Sequence, residues 1–373
     1  MSPLRGERLD RSTYRILDRL SSGWGDDVFL AHHEIFDGTV VQKTVFMHGL
    51  EDALASNEPA FLNRLDHPRI VPVREAQWDP NQDRAITFVM PYLAGGSVHD
   101  ALLEGYRFSI YQSIGITIDA LDALAHIHRE FRALHRDAKP GNVLLDGNRR
   151  HGYLSDFGSA AVLDNAGQAA AVLGTNVYRP PESRLTGTVG VDADVYRIGM
   201  MLFEMLNGRL PWEELDLAVV EARLRRGLRA VTDSTLQFQP HVPERLRRCV
   251  RKAINRDPAQ RYGSAEAFIA ALRKVCCIDW RHSEGVSVEG AWFGTWPPHL
   301  RPELRTEYRV LTRLLGAGRD RGKIRVEADY RKPRATSWRQ VAPDATVDAS
   351  DMRALSACFE QVRASAAHRS PAR

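Results

Sequence analysis

The chain has 373 residues, of which 43% are hydrophobic and 26% charged, and a formal net charge of +4. That length exceeds one typical domain and suffices for a large core, while so mild a charge gives no general attraction to nucleic acid. The four cysteines (Cys249, Cys276, Cys277, Cys358) form no CxxC pair and are too few for a disulfide framework, so they read as thiols of a reducing compartment.

The opening MSPLRGERLDRSTYRIL lacks the apolar run of a signal peptide, and residues 1–13 read as a leader. No stretch of about 18 apolar residues could span a bilayer. The expected location is cytoplasmic, with no membrane contact. From 14 to 90 the chain carries short β-type runs: YRILDRL, DVFLAHHEI, TVVQKTVF, IVPVREAQW and AITFVMPY. Turn signals such as Asp37-Gly38 and Asp79-Pro80-Asn81 separate them. One segment there, EDALASNEPAFLNRLDH, has helical character.

From about Val98 to Lys274 the apolar residues recur every three or four positions, as in SIGITIDALDALAHIHREF and DVYRIGMMLFEMLNG. ERLRRCVRKAINRD and SAEAFIAALRKVCC continue the pattern, with Cys276-Cys277 at a packed helix end. A change of composition follows. GAWFGTWPPHLRP reads as a boundary loop or a short packed strand pair. Beyond it we expect a helix over PELRTEYRVLTRLL, a strand over KIRVEADYR and a final helix over SDMRALSACFEQVRAS.

The chemistry concentrates in LHRDAKPGNVLLD, Leu134 to Asp146, and LSDFGSA, Leu154 to Ala160. Phosphoryl transfer from a nucleotide needs a carboxylate to take the hydroxyl proton, oxygen ligands for metal ions, and cations on the phosphates. Asp137, Lys139, Asn142 and Asp156 supply several of those groups within one short span.

H-R-D-x-K-P-x-N followed by D-F-G resembles a eukaryotic-type (Hanks-type) Ser/Thr protein kinase of bacterial style, over about Tyr14 to Lys274. Lys43 at the end of VVQK, GTNVYRPPE, and RDPAQRY fall in matching order. The resemblance implies an α+β bilobal kinase fold. It divides into a β-rich N-lobe (14–90), a hinge (91–93) and a helical C-lobe (94–275), with a small α+β extension at 279–373. It also implies ATP and Mg²⁺, with Mn²⁺ as an alternative, and protein substrates. Asp137 would be the catalytic base, Lys139 the γ-phosphate contact, and Asn142 and Asp156 the metal ligands. Lys43, oriented by Glu58, would hold the α/β-phosphates. Leu20, Val28, Val41, Met90 and Leu144 would sandwich adenine beneath a flap containing Gly23. The carbonyl of Pro91 and the N–H of Leu93 would face the adenine edge. Arg136, Thr175, Glu182 and Arg261 would be structural or regulatory.

The pattern is broken in three places. The flap LSSGWGDDVFLA has Ser21 and Asp26 where glycines are expected, and a carboxylate near a triphosphate is repulsive unless it points outward. Pro59 is welcome only in a first helical turn, so the helix that contains it should start near Asn57, making the Lys43–Glu58 pair conditional. Between Asp156 and Glu182 the only hydroxyl residues are Ser159, Thr175 and Tyr178, so the usual phosphosite is missing and activity should not depend on it. The alternative to an active enzyme is a pseudokinase that binds nucleotide or docks a partner.

From Arg281 onward there are 17 Lys/Arg against 11 Asp/Glu, a net of +6. Nucleic-acid contact is the weaker reading, because EAD interrupts the basic run. Docking on the kinase lobes or on a protein partner is the stronger.

Overall fold

The computed structural model describes residues 13–22, 26–46, 64–78, 85–172, 177–286, 289–297 and 300–369. They divide into two compact units, 1–94 and 95–373.

The first unit is one antiparallel sheet of β1 (Tyr14–Ser22), β2 (Asp26–His33), β3 (Gly38–Phe46), β4 (Glu75–Trp78) and β5 (Ala85–Pro91), in the order β1-β2-β3-β5-β4. Register decides which residues share a face, because directly opposed residues of an antiparallel pair project to the same side. Val28 opposes Lys43, Leu30 opposes Val41, Val41 opposes Met90, and Lys43 opposes Phe88. Ala31, Val40 and Val89 form the buried cluster of the opposite face, with Tyr14 against it. The run IVPVREAQW is strand only over its last four residues; Pro72 has no N–H to give a ladder. The expected helix at 51–67 lies outside the described residues as far as position 63.

The second unit begins with α1 (Val98–Leu103) and α2 (Ile110–Glu130). Ser97 and Ser109 each start a helix through a reciprocal capping box, with Asp100 and Gln112 as third-position partners. Then come β6 (Ala133–Leu134), β7 (Val143–Leu145), β8 (Gly152–Leu154), β9 (Ala161–Val162), β10 (Ala169–Ala170) and β11 (Thr188–Val189), all short, pairing as β6-β9, β7-β8 and β10-β11. α3 (Val191–Asn207) is buried along almost its whole length and stops where Gly208 takes φ 93°. α4 (Leu217–Arg225), α5 (Glu244–Ala253) and α6 (Ala265–Leu272) complete the helical part. The helical period read between Val98 and Lys274 is therefore present, among the described residues, as six helices.

The extension is a sheet of β12 (Arg281–Val286), β13 (Glu289–Trp296), β14 (Thr306–Leu314), β15 (Lys323–Arg331), β16 (Arg339–Gln340) and β17 (Ala345–Asp348), backed by α7 (Met352–Arg369). GAWFGTWPPHLRP supplies one member of a strand pair, and the final helix and the KIRVEADYR strand form as expected. The helix expected over PELRTEYRVLTRLL does not form. After a short 3₁₀ turn at Pro302–Leu304 the segment is β14, with Tyr308, Val310 and Thr312 buried in alternation. A period of two with aromatic and β-branched residues suits a half-buried strand, and tertiary pairing with β13 and β15 overrides the helical propensity of its Leu and Arg.

The extension packs on the helical part within the same compact unit. Trp292, fully buried, donates its indole N–H to His241 Nδ1 at 3.1 Å, and Phe359 of α7 meets both Trp280 and Trp292 edge-on. The N–H groups of Ile110 and Tyr111 donate to the Trp280 carbonyl and the Asp279 carboxylate. A Cβ at Gly294 would stand 2.5 Å from Ile278 and 2.7 Å from the Trp280 ring, so only glycine permits this approach.

Candidate active site

The loop between β6 and β7 is held from below by one carboxylate. Asp194, in the first turn of α3 and fully buried, accepts the backbone N–H of His135 at 2.9 Å and of Arg136 at 3.0 Å. It also meets His128 Nε2 at 3.0 Å and Arg197 at 3.7 Å. Burial alone would raise its pKa. The His128 hydrogen bond and the nearby Arg197 charge outweigh that and hold it at about 2. Arg136 takes φ 64°, a left-handed conformation that costs a non-glycine residue about 1–3 kcal/mol, and its bond to Asp194 fixes it there.

On this support the functional groups converge. Lys139 Nζ donates to Asp137 Oδ2 at 2.7 Å, and Asn142 Nδ2 donates to the same oxygen at 3.1 Å and to the Asp137 carbonyl at 2.8 Å. Two donors on one carboxylate oxygen fix its direction. The Lys139 and Asp137 side chains keep 36% and 19% of their exposure, so both remain reachable from solvent.

The β7-β8 hairpin brings Asn142 and Asp156 to one end: Ser155 N–H donates to the Asn142 carbonyl at 2.9 Å, and Asp156 follows in a left-handed conformation at φ 63°. The buried His135 is held neutral by burial, against the opposing pull of the Asp194, Asp156 and Asp137 carboxylates. It bonds the Ser155 carbonyl at 3.0 Å and packs on Phe157. With its amide nitrogen committed to Asp137, Asn142 has its amide oxygen available as an acceptor. That oxygen and the Asp156 carboxylate are hard ligands of the kind Mg²⁺ takes together with substrate phosphates. This donor set fits the ion. Leu144 sits on β7, partly exposed between the fully buried Val143 and Leu145.

The segment after Asp156 is tied to Arg136. Its guanidinium donates to the carbonyls of Ser159 at 2.5 Å, Ala170 at 2.8 Å and Ala160 at 3.4 Å. Glu182 forms a two-pronged pair with Arg261 at 2.6 and 2.8 Å, and Asp192 adds a third carboxylate contact at 2.9 Å. The Arg261 side chain is wholly buried and stacks over Tyr196.

In the first unit, Val28, Val41, Lys43 and Met90 share one face of the sheet by register, and Pro91 ends β5 opposite Val40. Leu20 lies at a bulge of β1 and is exposed, and Leu93 is half-buried. Gly23, Glu58 and Thr175 lie outside the described residues.

Sequence reasoning missed Asp194 and Glu204. Glu204, buried in α3, accepts from the Tyr178 hydroxyl at 2.7 Å, Trp212 Nε1 at 2.8 Å and Leu210 N–H at 3.0 Å. The signal was an acid inside an otherwise apolar helix, DADVYRIGMMLFEMLNG, which a buried partner must explain.

The protein kinase domain family matches residues 14–271. The chain belongs to that family, in its Hanks-type Ser/Thr group. It is similar to the serine/threonine-protein kinase PrkC of Bacillus subtilis (strain 168), with 30% identity over 278 residues, covering 72% of this chain and 41% of that protein. It is likewise similar to the serine/threonine-protein kinase pkn3 of Myxococcus xanthus, 28% identical over 275 residues, covering 70% and 50%. A third relative is the probable serine/threonine-protein kinase SCO3848 of Streptomyces coelicolor (strain ATCC BAA-471 / A3(2) / M145), 29% identical over 304 residues, covering 76% and 43%. The chain thus spans half or less of the length of these curated relatives. Among the described residues, no helix is long and apolar enough to cross a membrane.

Proposed function

We propose that this chain is an active Ser/Thr protein kinase that transfers the γ-phosphate of ATP to protein hydroxyl groups. The observation that carries the reading is the Asp137 carboxylate held by Lys139 and Asn142, at the end of the hairpin that also presents Asp156. Asp137 accepts the proton of the substrate hydroxyl as its oxygen bonds to the γ-phosphorus and the bond to the bridging oxygen breaks, leaving ADP. Lys139 neutralises the transferring group, and Asn142 and Asp156 hold Mg²⁺, which when bound offsets charge on the phosphate oxygens. Lys43 takes the α/β-phosphates, and Val28, Val41 and Met90 offer the first unit's apolar face to the base. Glu58 as the partner of Lys43 remains part of this reading on the strength of the family pattern.

The activation segment, in this proposal, needs no phosphate. Its usual ligand, the Arg136 guanidinium, is already satisfied by three backbone carbonyls. The extension is read as a docking element. Its Arg309, Arg325 and Arg331 pair with Asp329, Asp344 and Glu307, which supports a solvated strand face over a nucleic-acid site.

Purified protein incubated with Mg-ATP and a generic protein substrate, beside Asp137→Ala, tests the enzyme reading. We expect transfer to fall by about 10²–10⁴-fold in the variant. Equal transfer by both proteins, or none by either, would sink it.

A further inference from the structure

A cavity of about 400 Å³ opens where the helical part of the second unit meets the extension. Its polar wall is built by Tyr106 and Arg107 from the α1–α2 connection, Arg209 after α3, Gln239 and His241 before α5, and His282 on β12. The volume falls in the range of small-molecule pockets.

The wall is cationic. Two arginines and two histidines line it, and no carboxylate does so among the described residues. Arg107 makes no ion pair among the described residues and lies against Gly208, where a Cβ would approach its Nη1 to 2.9 Å. Arg209 reaches Glu213 with one terminal nitrogen, while its Nε–H is buried and makes no hydrogen bond among the described residues. The buried Gln239 Oε1 also has no hydrogen-bond partner among the described residues, but as an amide oxygen it lacks a donor, which a ligand hydroxyl would supply. A buried N–H without an acceptor costs about 1–3 kcal/mol, so a missing acceptor is itself an observation about the site. His241 accepts the Trp292 indole N–H at Nδ1 and is held neutral, its pKa pushed down to about 3 by burial and by His282, Arg247 and Arg107. Its Nε2 therefore carries the proton and is a further donor.

We propose that this cavity binds a small multivalent oxyanion, a carboxylate- or phosphate-bearing metabolite, through Arg107 and Arg209. Forked guanidinium donors suit such a group, and the positive field of the wall draws it in. Because the wall takes residues from both the helical part and β12, the bound anion also ties the extension to the helices. Trp292, which hydrogen-bonds His241 and stacks on His282 at 4.6 Å, stands directly behind the wall as a reporter.

The test titrates citrate and, separately, inorganic phosphate into the full chain at constant ionic strength against sodium chloride, without Mg²⁺ or nucleotide. Calorimetry reads affinity, and the ¹⁵N shift of the Trp292 indole locates the site. We expect saturable binding of at least one probe and a moved Trp292 resonance. Affinity should fall about tenfold or more in Arg107→Ala, whose exposed side chain can be removed without unfolding the chain, and in Arg209→Gln. Lys43→Met should bind as the parent does. Three outcomes would each overturn the proposal: no binding beyond the chloride control, parental affinity in Arg107→Ala, or loss of binding in Lys43→Met, which would assign the anion to the nucleotide phosphates.

Discussion

Asp194 positions Arg136. One carboxylate oxygen takes the backbone N–H of Arg136 at 3.0 Å, and the other takes that of His135 at 2.9 Å. A helix that carries no reacting group thereby sets the height and direction of the loop that carries Asp137.

Removing that carboxylate strands two backbone donors together with His128 and Arg197. Asp194→Ala should therefore cost about 3–5 kcal/mol in urea unfolding, with Asp194→Asn costing less. The pKa of Asp194 is depressed in the folded state, so its contribution is fully present above the unfolded carboxylate value near 3.8 and is lost as pH falls through about 2. A variant unfolding at the parental urea midpoint would show that the loop stands without this support.

With Arg136 satisfied by the carbonyls of Ser159, Ala160 and Ala170, phosphatase-treated protein should retain its transfer rate. Intact-mass spectrometry of the active sample should find no phosphate between 157 and 182. A stoichiometric phosphate on this segment, whose removal abolishes activity, would refute the prediction.

Arg261 is the best-enclosed cation of the second unit's ion pairs, bonded to both Glu182 and Asp192. Leaving two part-buried acids without it should make Arg261→Ala about 3–5 kcal/mol less stable. Arg261→Lys should recover only a fraction, because an ammonium cannot reproduce the fork. Chemical denaturation of the three proteins decides this.

His241 supplies a pH dependence in a different range. Its folded pKa, about 3, lies below the ordinary histidine value of 6.5, so the unfolded chain binds the proton more readily. The stability it contributes is fully present above about pH 6.5 and declines as pH falls toward 3. Denaturant midpoints at pH 7, 5.5 and 4 should fall in that order. His241→Gln should start lower at pH 7, since Trp292 loses its aromatic acceptor, and decline less steeply.

The strands of the first unit, the longer helices α2, α3, α5, α6 and α7 of the second and the cluster Asp137-Lys139-Asn142-Asp156 were legible in the chain. Strand alternation, helical period and a dense polar motif are local signals. The β14 segment was not, because TEYRVLTRL carries both periods in part and its choice was made by neighbours β13 and β15. Asp194 and Glu204 were equally hidden: a sequence displays an acid in an apolar helix but not the donors that make its burial tolerable.

By itself, then, the sequence determined the family and the identity of the groups we propose for phosphoryl transfer, since those depend on residue type and spacing. Tertiary structure alone decided that Asp194 carries the loop of Asp137 and that Arg136 is occupied by main-chain carbonyls. It likewise decided that Arg107, Arg209, His241 and His282 meet around one cavity. Each of those facts joins residues far apart in the chain, and only the packing of buried surfaces brings their charges and donors within bonding distance.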